Sequence, residues 1–99
     1  MKKSETESQI IFTITTDMDS NNSKALKKVI LADIDSVQKD VIIDLHGMKY
    51  IDSSGINVLI QIHKVQVQKK RRMIIRKPSE MVIKTISLGN LDKIFEFET

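Results

Sequence analysis

With 99 residues, no cysteine and only four aromatics within a 40% hydrophobic composition, the chain can build one modest aliphatic core, and it cannot build a disulfide framework or a thiolate metal site. No apolar stretch approaches the ~20 residues of a membrane span, and the polar start at Met1–Ser8 lacks the apolar core of a signal peptide. A single complete cytoplasmic domain is expected, and the net charge of +3 is small enough to reflect solubility alone.

Residues 1–8 are polar and charged and read as a flexible N-terminus ahead of a domain over 9–99. In Gln9–Thr16 the alternation of Ile10, Phe12 and Ile14 predicts a strand with one buried face, and Ile11 suggests partial cover on the other. Asp17–Asn22 is a loop of residues that bond their own backbone, in which Ser20, Asn21 and Asn22 are candidate N-caps. Leu26, Val29, Ile30, Ile34 and Val37 then form one helical stripe, with Lys24, Lys27, Lys28 and Asp35 on the outside. Val41–Leu45 is a β-branched apolar run that predicts the central buried strand, with Asp44 near its exit.

From Ile56 onward, Leu59, Ile60, His63 and Val67 recur at helical spacing. Lys69–Arg72 precede a short strand, Met73–Ile75, and Arg76–Glu80 is a turn with Pro78 suited to a first helical turn. Met81, Val82, Thr85, Ile86 and Leu88 predict a short helix with a left-handed C-cap at Gly89 or Asn90, and Ile94–Phe97 is the last strand. The order is that of an α/β domain with a four-stranded, mainly parallel sheet and three helices.

Asp52, Ser53, Ser54 and Gly55 stand where the central strand gives way to a helix N-terminus, the sheet edge at which ligands and partners are usually met. Taken alone, the two serines are better explained as helix caps than as functional residues. Asp44 and Asp52 could form an acid–base or metal pair, but no histidine or carboxylate cluster completes such a site. His46 and His63 are isolated, and His63 lies on an apolar helix side. Nor does Asp-Ser-Ser-Gly have the Gly-x-Ser-x-Gly form of a hydrolase elbow. No catalytic residue, metal or cofactor is therefore assigned. The basic run Lys69–Arg72, with Arg76 and Lys77, could meet nucleic acid or anionic lipid. Without interleaved aromatics it reads as a solvated turn complementing a helix dipole, so neither direct nucleic-acid binding nor membrane insertion is expected.

Three segments carry a family resemblance: Val-Ile-Ile-Asp-Leu at 41–45, Tyr-Ile-Asp-Ser-Ser-Gly-Ile at 50–56, and Ser-Leu-Gly-Asn-Leu-Asp-Lys-Ile-Phe at 87–95. Over residues 19–97 the chain resembles STAS domains, and more narrowly the bacterial anti-sigma factor antagonists. The resemblance implies a STAS-like fold and a regulator that is not an enzyme. It also implies that the serine after the second aspartate, here Ser53, is phosphorylated by a serine kinase that is itself the anti-sigma factor.

By motif position Asp44 matches the family's first aspartate and Asp52 the second, and Ser54 is left as structural. The implied partner surface is Asp44, Asp52, Ser53, Ser54, Gly55, Ile56 and Asn57. Unmodified Ser53 would allow binding, phosphate would release the partner, and a serine phosphatase would reset the switch. ATP belongs to the kinase, so the domain itself needs no cofactor. Related subgroups serve as accessory parts of lipid or anion transport complexes, which is the alternative role. Three departures from the family pattern accompany the resemblance. Met1–Ser8 shows no opening hairpin strand, Asn57 stands where a glycine is common, and no final helix is expected after Phe97.

Overall fold

The computed structural model describes residues 1–98. Its elements are β1 (Lys2–Glu5), β2 (Gln9–Thr13), α1 (Ser23–Ile34), β3 (Asp40–Asp44), α2 (Ser53–Gln68), β4 (Met73–Arg76), α3 (Glu80–Leu88), a 3₁₀ turn (Leu91–Lys93) and β5 (Glu96–Glu98). The strands form one sheet in chain order. β2, β3, β4 and β5 run parallel because β3, β4 and β5 are each reached from the preceding strand through a helix, or a helix and turn. β1 pairs antiparallel with β2, from Lys2 opposite Thr13 to Glu5 opposite Ile10.

The sheet therefore has five strands rather than four, and the fifth is the charged N-terminal stretch that reads as a loose end. Its four residues are all exposed and carry no hydrophobic alternation. Backbone pairing and Lys39, which bonds Glu5 (2.6 Å) and the Thr6 carbonyl (2.8 Å), tie it to the rest. A strand held by its partner's free edge leaves no mark in its own side chains.

Alternation decides the core. Ile10, Phe12 and Ile14 of β2 and its extension, Val41, Ile43 and Leu45 around β3, and Met73 and Ile75 of β4 form one buried cluster with the helices. Ile42 and Ile74, also buried, face the other way and lie opposite each other in the register. All three helices thus cover a single face of the sheet.

The helices correct the predicted stripes. α1 buries Ile30 and Ile34, but Val29 is 48% exposed. α2 buries Gly55, Val58, Leu59, Ile62 and Gln66, so its stripe is turned from the predicted one, and Val67 is 57% exposed. The apolar residues of α2 fall on two overlapping stripes, and only packing against α1 and the sheet selects between them. His63, half-buried, sits with its ring edge-on to Phe95 at 5.6 Å, which fits the packed role expected from its apolar side. α3 buries Val82 and Ile86 but exposes Met81 and Leu88. Ser79 caps it by accepting from Val82 N–H, which places Pro78 just outside the first turn. The left-handed residue after α3 is Asn90 (φ 60°), not Gly89 (φ −95°).

The basic turn after α2 is only partly a solvated turn. Lys69 Nζ donates to the carbonyls of Ile34, Asp35 (2.9 Å) and Val37 (2.9 Å), satisfying the open C-terminus of α1 from a neighbouring helix. Buried Gln66 donates to the carbonyls of Lys39 (2.9 Å) and Arg72 (3.0 Å), joining the starts of β3 and β4 to α2. Arg72 pairs with Glu96 across the strand edge.

Candidate functional site

The site is assembled from two loops at the same edge of the sheet. After β2, Asp17 accepts from the backbone N–H of Lys49 (2.9 Å) and Tyr50 (3.0 Å) in the loop after β3. Met18 and Ile51 then pair as an isolated parallel bridge, with Met18 N–H donating to the Tyr50 carbonyl and Asp52 N–H to the Met18 carbonyl. The two loops thus behave as a short continuation of the sheet. Asp17 and Met18 lie more than thirty residues upstream of the Asp-Ser-Ser-Gly element, so its spacing alone does not reveal them. The available signal was the Asp- and Asn-rich loop at a strand's C-terminal end.

Asp52 is the N-cap of α2: its Oδ1 accepts from Ser54 N–H at 2.8 Å and Gly55 N–H at 3.2 Å. With the cap supplied by the aspartate, the capping explanation for the two serines falls away. Ser53 is the first helical residue and exposed, Ser54 the second and half-buried. Neither hydroxyl bonds any of the described residues.

Gly55 is fixed by steric fit. A Cβ there would lie 2.5 Å from Ile51 Cγ1 and 2.7 Å from Met18 Cβ, so α2 can reach the bridged loops only without a side chain at this point. Ile56 is half-buried and Asn57 exposed, one turn further along the same end. Tyr50, just before the bridged Ile51, is 50% exposed, and the sequence reading gave it no site role.

Asp44 belongs to a different neighbourhood. Its strand phase places it with Ile42 on the face away from the helices, opposite Thr13 and Arg76 in the register. Its Oδ1 accepts from His46 N–H (3.0 Å) and lies 2.8 Å from His46 Nδ1, so His46 is not isolated. Burial pushes the Asp44 carboxyl up, but the His46 backbone and ring, with the charge of Arg76, outweigh it and hold the group below the usual carboxylate range. The two aspartates therefore do not converge on one point. Among the described residues no cluster of three potential metal ligands occurs, and no helix is long and apolar enough to cross a membrane.

The fold has known counterparts. The STAS domain model matches residues 1–99, and the chain belongs to the STAS family. A candidate anti-sigma factor antagonist from Thermotoga maritima, known from its crystal structure, is similar with a TM-score of 0.91 and 22% identity, covering 99% of this chain and 86% of that one. The anti-sigma factor antagonist SpoIIAA in its unphosphorylated form is similar with a TM-score of 0.84 and 18% identity, covering 99% and 87%. The murine anion transporter Solute Carrier 26 family member A9 gives a TM-score of 0.77 at 18% identity, but the match covers 91% of this chain and only 15% of the transporter. At these identities the likeness is one of fold.

Proposed function

We propose that the domain is an anti-sigma factor antagonist whose binding is controlled by phosphorylation of Ser53. The observation that carries this reading is the division of labour at the start of α2. Asp52 caps the helix, and Ser53 is left exposed with an unengaged hydroxyl at N1. A kinase can reach such a hydroxyl without unfolding anything. The product is tolerated, because a phosphate of roughly −1.5 to −2 charge at a helix N-terminus faces the positive end of the dipole.

The partner-docking surface in this reading is Asp52, Ser53, Ser54, Ile56 and Asn57, together with exposed Tyr50, while Gly55 is buried against Ile51 and Met18 and serves only to seat the helix. Asp44 adds negative charge from the far side of the same edge. The partner is an anti-sigma factor that is also a serine kinase, and a serine phosphatase reverses the modification. A docked partner would meet a desolvated dianion next to Asp52, and burial of like charges at an interface costs several kcal/mol. The domain itself acts by occupancy and performs no chemistry.

The likeness to part of an anion transporter favours a second reading, in which the same edge docks to a transport protein and Ser53 is an ordinary interface residue. Intact mass separates the two. The partner co-purified from source cells is mixed with the domain, and mass and affinity are measured before and after ATP. A single added phosphate on the wild type, none on Ser53→Ala, and ATP-insensitive binding by Ser53→Ala are expected. Unchanged mass and affinity in every variant would remove the switch and leave the transport reading.

A further inference from the structure

We infer that the outer edge of β1 is a self-association surface, through which two copies of this chain pair into a symmetric dimer. The inference does not depend on modification of Ser53. β1 lies at one end of the sheet and pairs only with β2, so one row of its backbone groups is left open. An open row of that kind is a template for another strand.

The pairing with β2 fixes which groups are open. Thr6 N–H donates to the Gln9 carbonyl (2.8 Å), so by the alternation of an antiparallel pair Ser4 and Lys2 also turn their backbone groups toward β2. Lys3 and Glu5 therefore turn theirs outward. Lys3 stands opposite Phe12 and Glu5 opposite Ile10, both core residues, so the two side chains lie on the helix-covered side of the sheet.

Two such edges related by a twofold axis perpendicular to the sheet pair antiparallel, with the helix-covered faces on the same side. Outward backbone groups then meet in three ways. Lys3 against Lys3, or Glu5 against Glu5, sets like charges directly opposite, which is destabilising. The register centred on Ser4 instead sets Lys3 against Glu5 of the copy, and Glu5 against Lys3 of the copy. Lysines at a sheet edge ordinarily discourage pairing, but in this register each meets a carboxylate. The edge is thus complementary in charge to itself, which commits it to a second copy of this chain.

α1 supplies an independent observation. Asp33 reaches Lys3 at 3.6 Å, so this side of α1 overlies β1. Val29, one turn before Asp33, is 48% exposed, and Ala25 and Ala32 on the same side are exposed as well. Across the twofold axis this side of α1 would face α1 of the copy, and small side chains let two helices approach closely. Val29 then supplies the apolar contact that its own chain leaves unused. Antiparallel pairing sends the two serine corners to opposite ends of the joined sheet, so each copy keeps its own.

The test is sedimentation equilibrium of the full chain. One short strand pair and one helix contact make a small interface, so a shift from one chain per particle to two is expected between about 10 μM and about 1 mM. Lys3→Pro deletes an outward N–H on each copy and leaves the bonds to β2 in place, as proline at an edge position allows. It should weaken association at least tenfold, and Val29→Lys should do the same.

Lys3→Glu and Glu5→Lys, each alone, set like charges opposite and should stay monomeric. Mixed in equal amounts they should associate again, because every Glu then meets a Lys of the other variant. A monomer at every concentration, or particles that keep growing beyond two chains, would overturn the interface. So would a dimer indifferent to Lys3→Pro or Val29→Lys, or a mixture no more associated than its components.

Discussion

The two ends of α2 are both polar, yet their polar side chains stand in opposite states. At the C-terminal end buried Gln66 and half-buried Lys69 each donate to backbone carbonyls of other elements. At the N-terminal end Asp52 alone does the structural work, and the hydroxyls of Ser53 and Ser54 are left over. A polar residue whose atoms are committed to distant backbone is part of the architecture. One that is exposed and uncommitted at a sheet edge is available to another molecule. By that criterion Gln66 and Lys69 support the fold, and the serine corner is left free.

The sharpest way to break the comparison is at its one tightly packed point. Gly55→Val puts branched carbons where even a Cβ meets Ile51 and Met18 below 3.0 Å. A loss of about 3 kcal/mol or more is expected in a denaturant melt, at or beyond the upper end of overpacking costs. A smaller loss would show that the bridged loops yield, and that the corner is not rigid.

At the other end, Gln66→Ala removes the donor to the Lys39 carbonyl inside the fold and should cost about 2 kcal/mol, typical of a buried group left unsatisfied. Binding of the partner at the far end should be unaffected. Lys69→Gln should cost about 1 kcal/mol, the scale of a helix-terminus charge with its hydrogen bonds. If this variant proved neutral in stability but lowered affinity for nucleic acid, the basic turn would be functional after all.

Ser53→Ala is the complementary change at the N-terminal end. With Asp52 as the cap, stability should move by no more than about 0.5 kcal/mol, as for a surface substitution away from special features. Thermal melts of Ser53→Ala and Asp52→Ala side by side check this, since loss of the true cap should cost about 1 kcal/mol.

The smallest effect concerns acid. The Asp44 carboxyl is held low in the fold, so it binds a proton less readily there than in the unfolded chain. Its stabilisation is complete above the unfolded carboxylate range, near ~4, and is lost as pH falls through the folded value. Asp44→Asn should therefore flatten the acid side of the stability curve and leave the neutral side in place. An unchanged acid limb would show that His46 does not favour the carboxylate.

Much of the fold is written locally. The strand–helix alternation, the central strand at 41–45 and the helix start beside Asp52 follow from periodicity and capping chemistry within windows of about ten residues. The serine corner was legible for the same reason: its hydroxyls, cap and glycine are neighbours in the chain.

What the sequence did not disclose depends on groups far apart in it. β1 is a strand only because the edge of β2 accepts it, and its own residues say nothing of pairing. α2 carries two apolar stripes, and the sheet and α1 choose the one containing Gln66. Lys69 reaches a carbonyl 35 residues away, so a charge run reads as solvent-facing until α1 is placed beside it. Asp44 and Asp52 look like partners in sequence, but alternation sends one to the bare face of the sheet while the other caps a helix on the covered face. Local chemistry determined which residues are able to act at this edge, and long-range pairing of backbone groups decided which of them are free to do so.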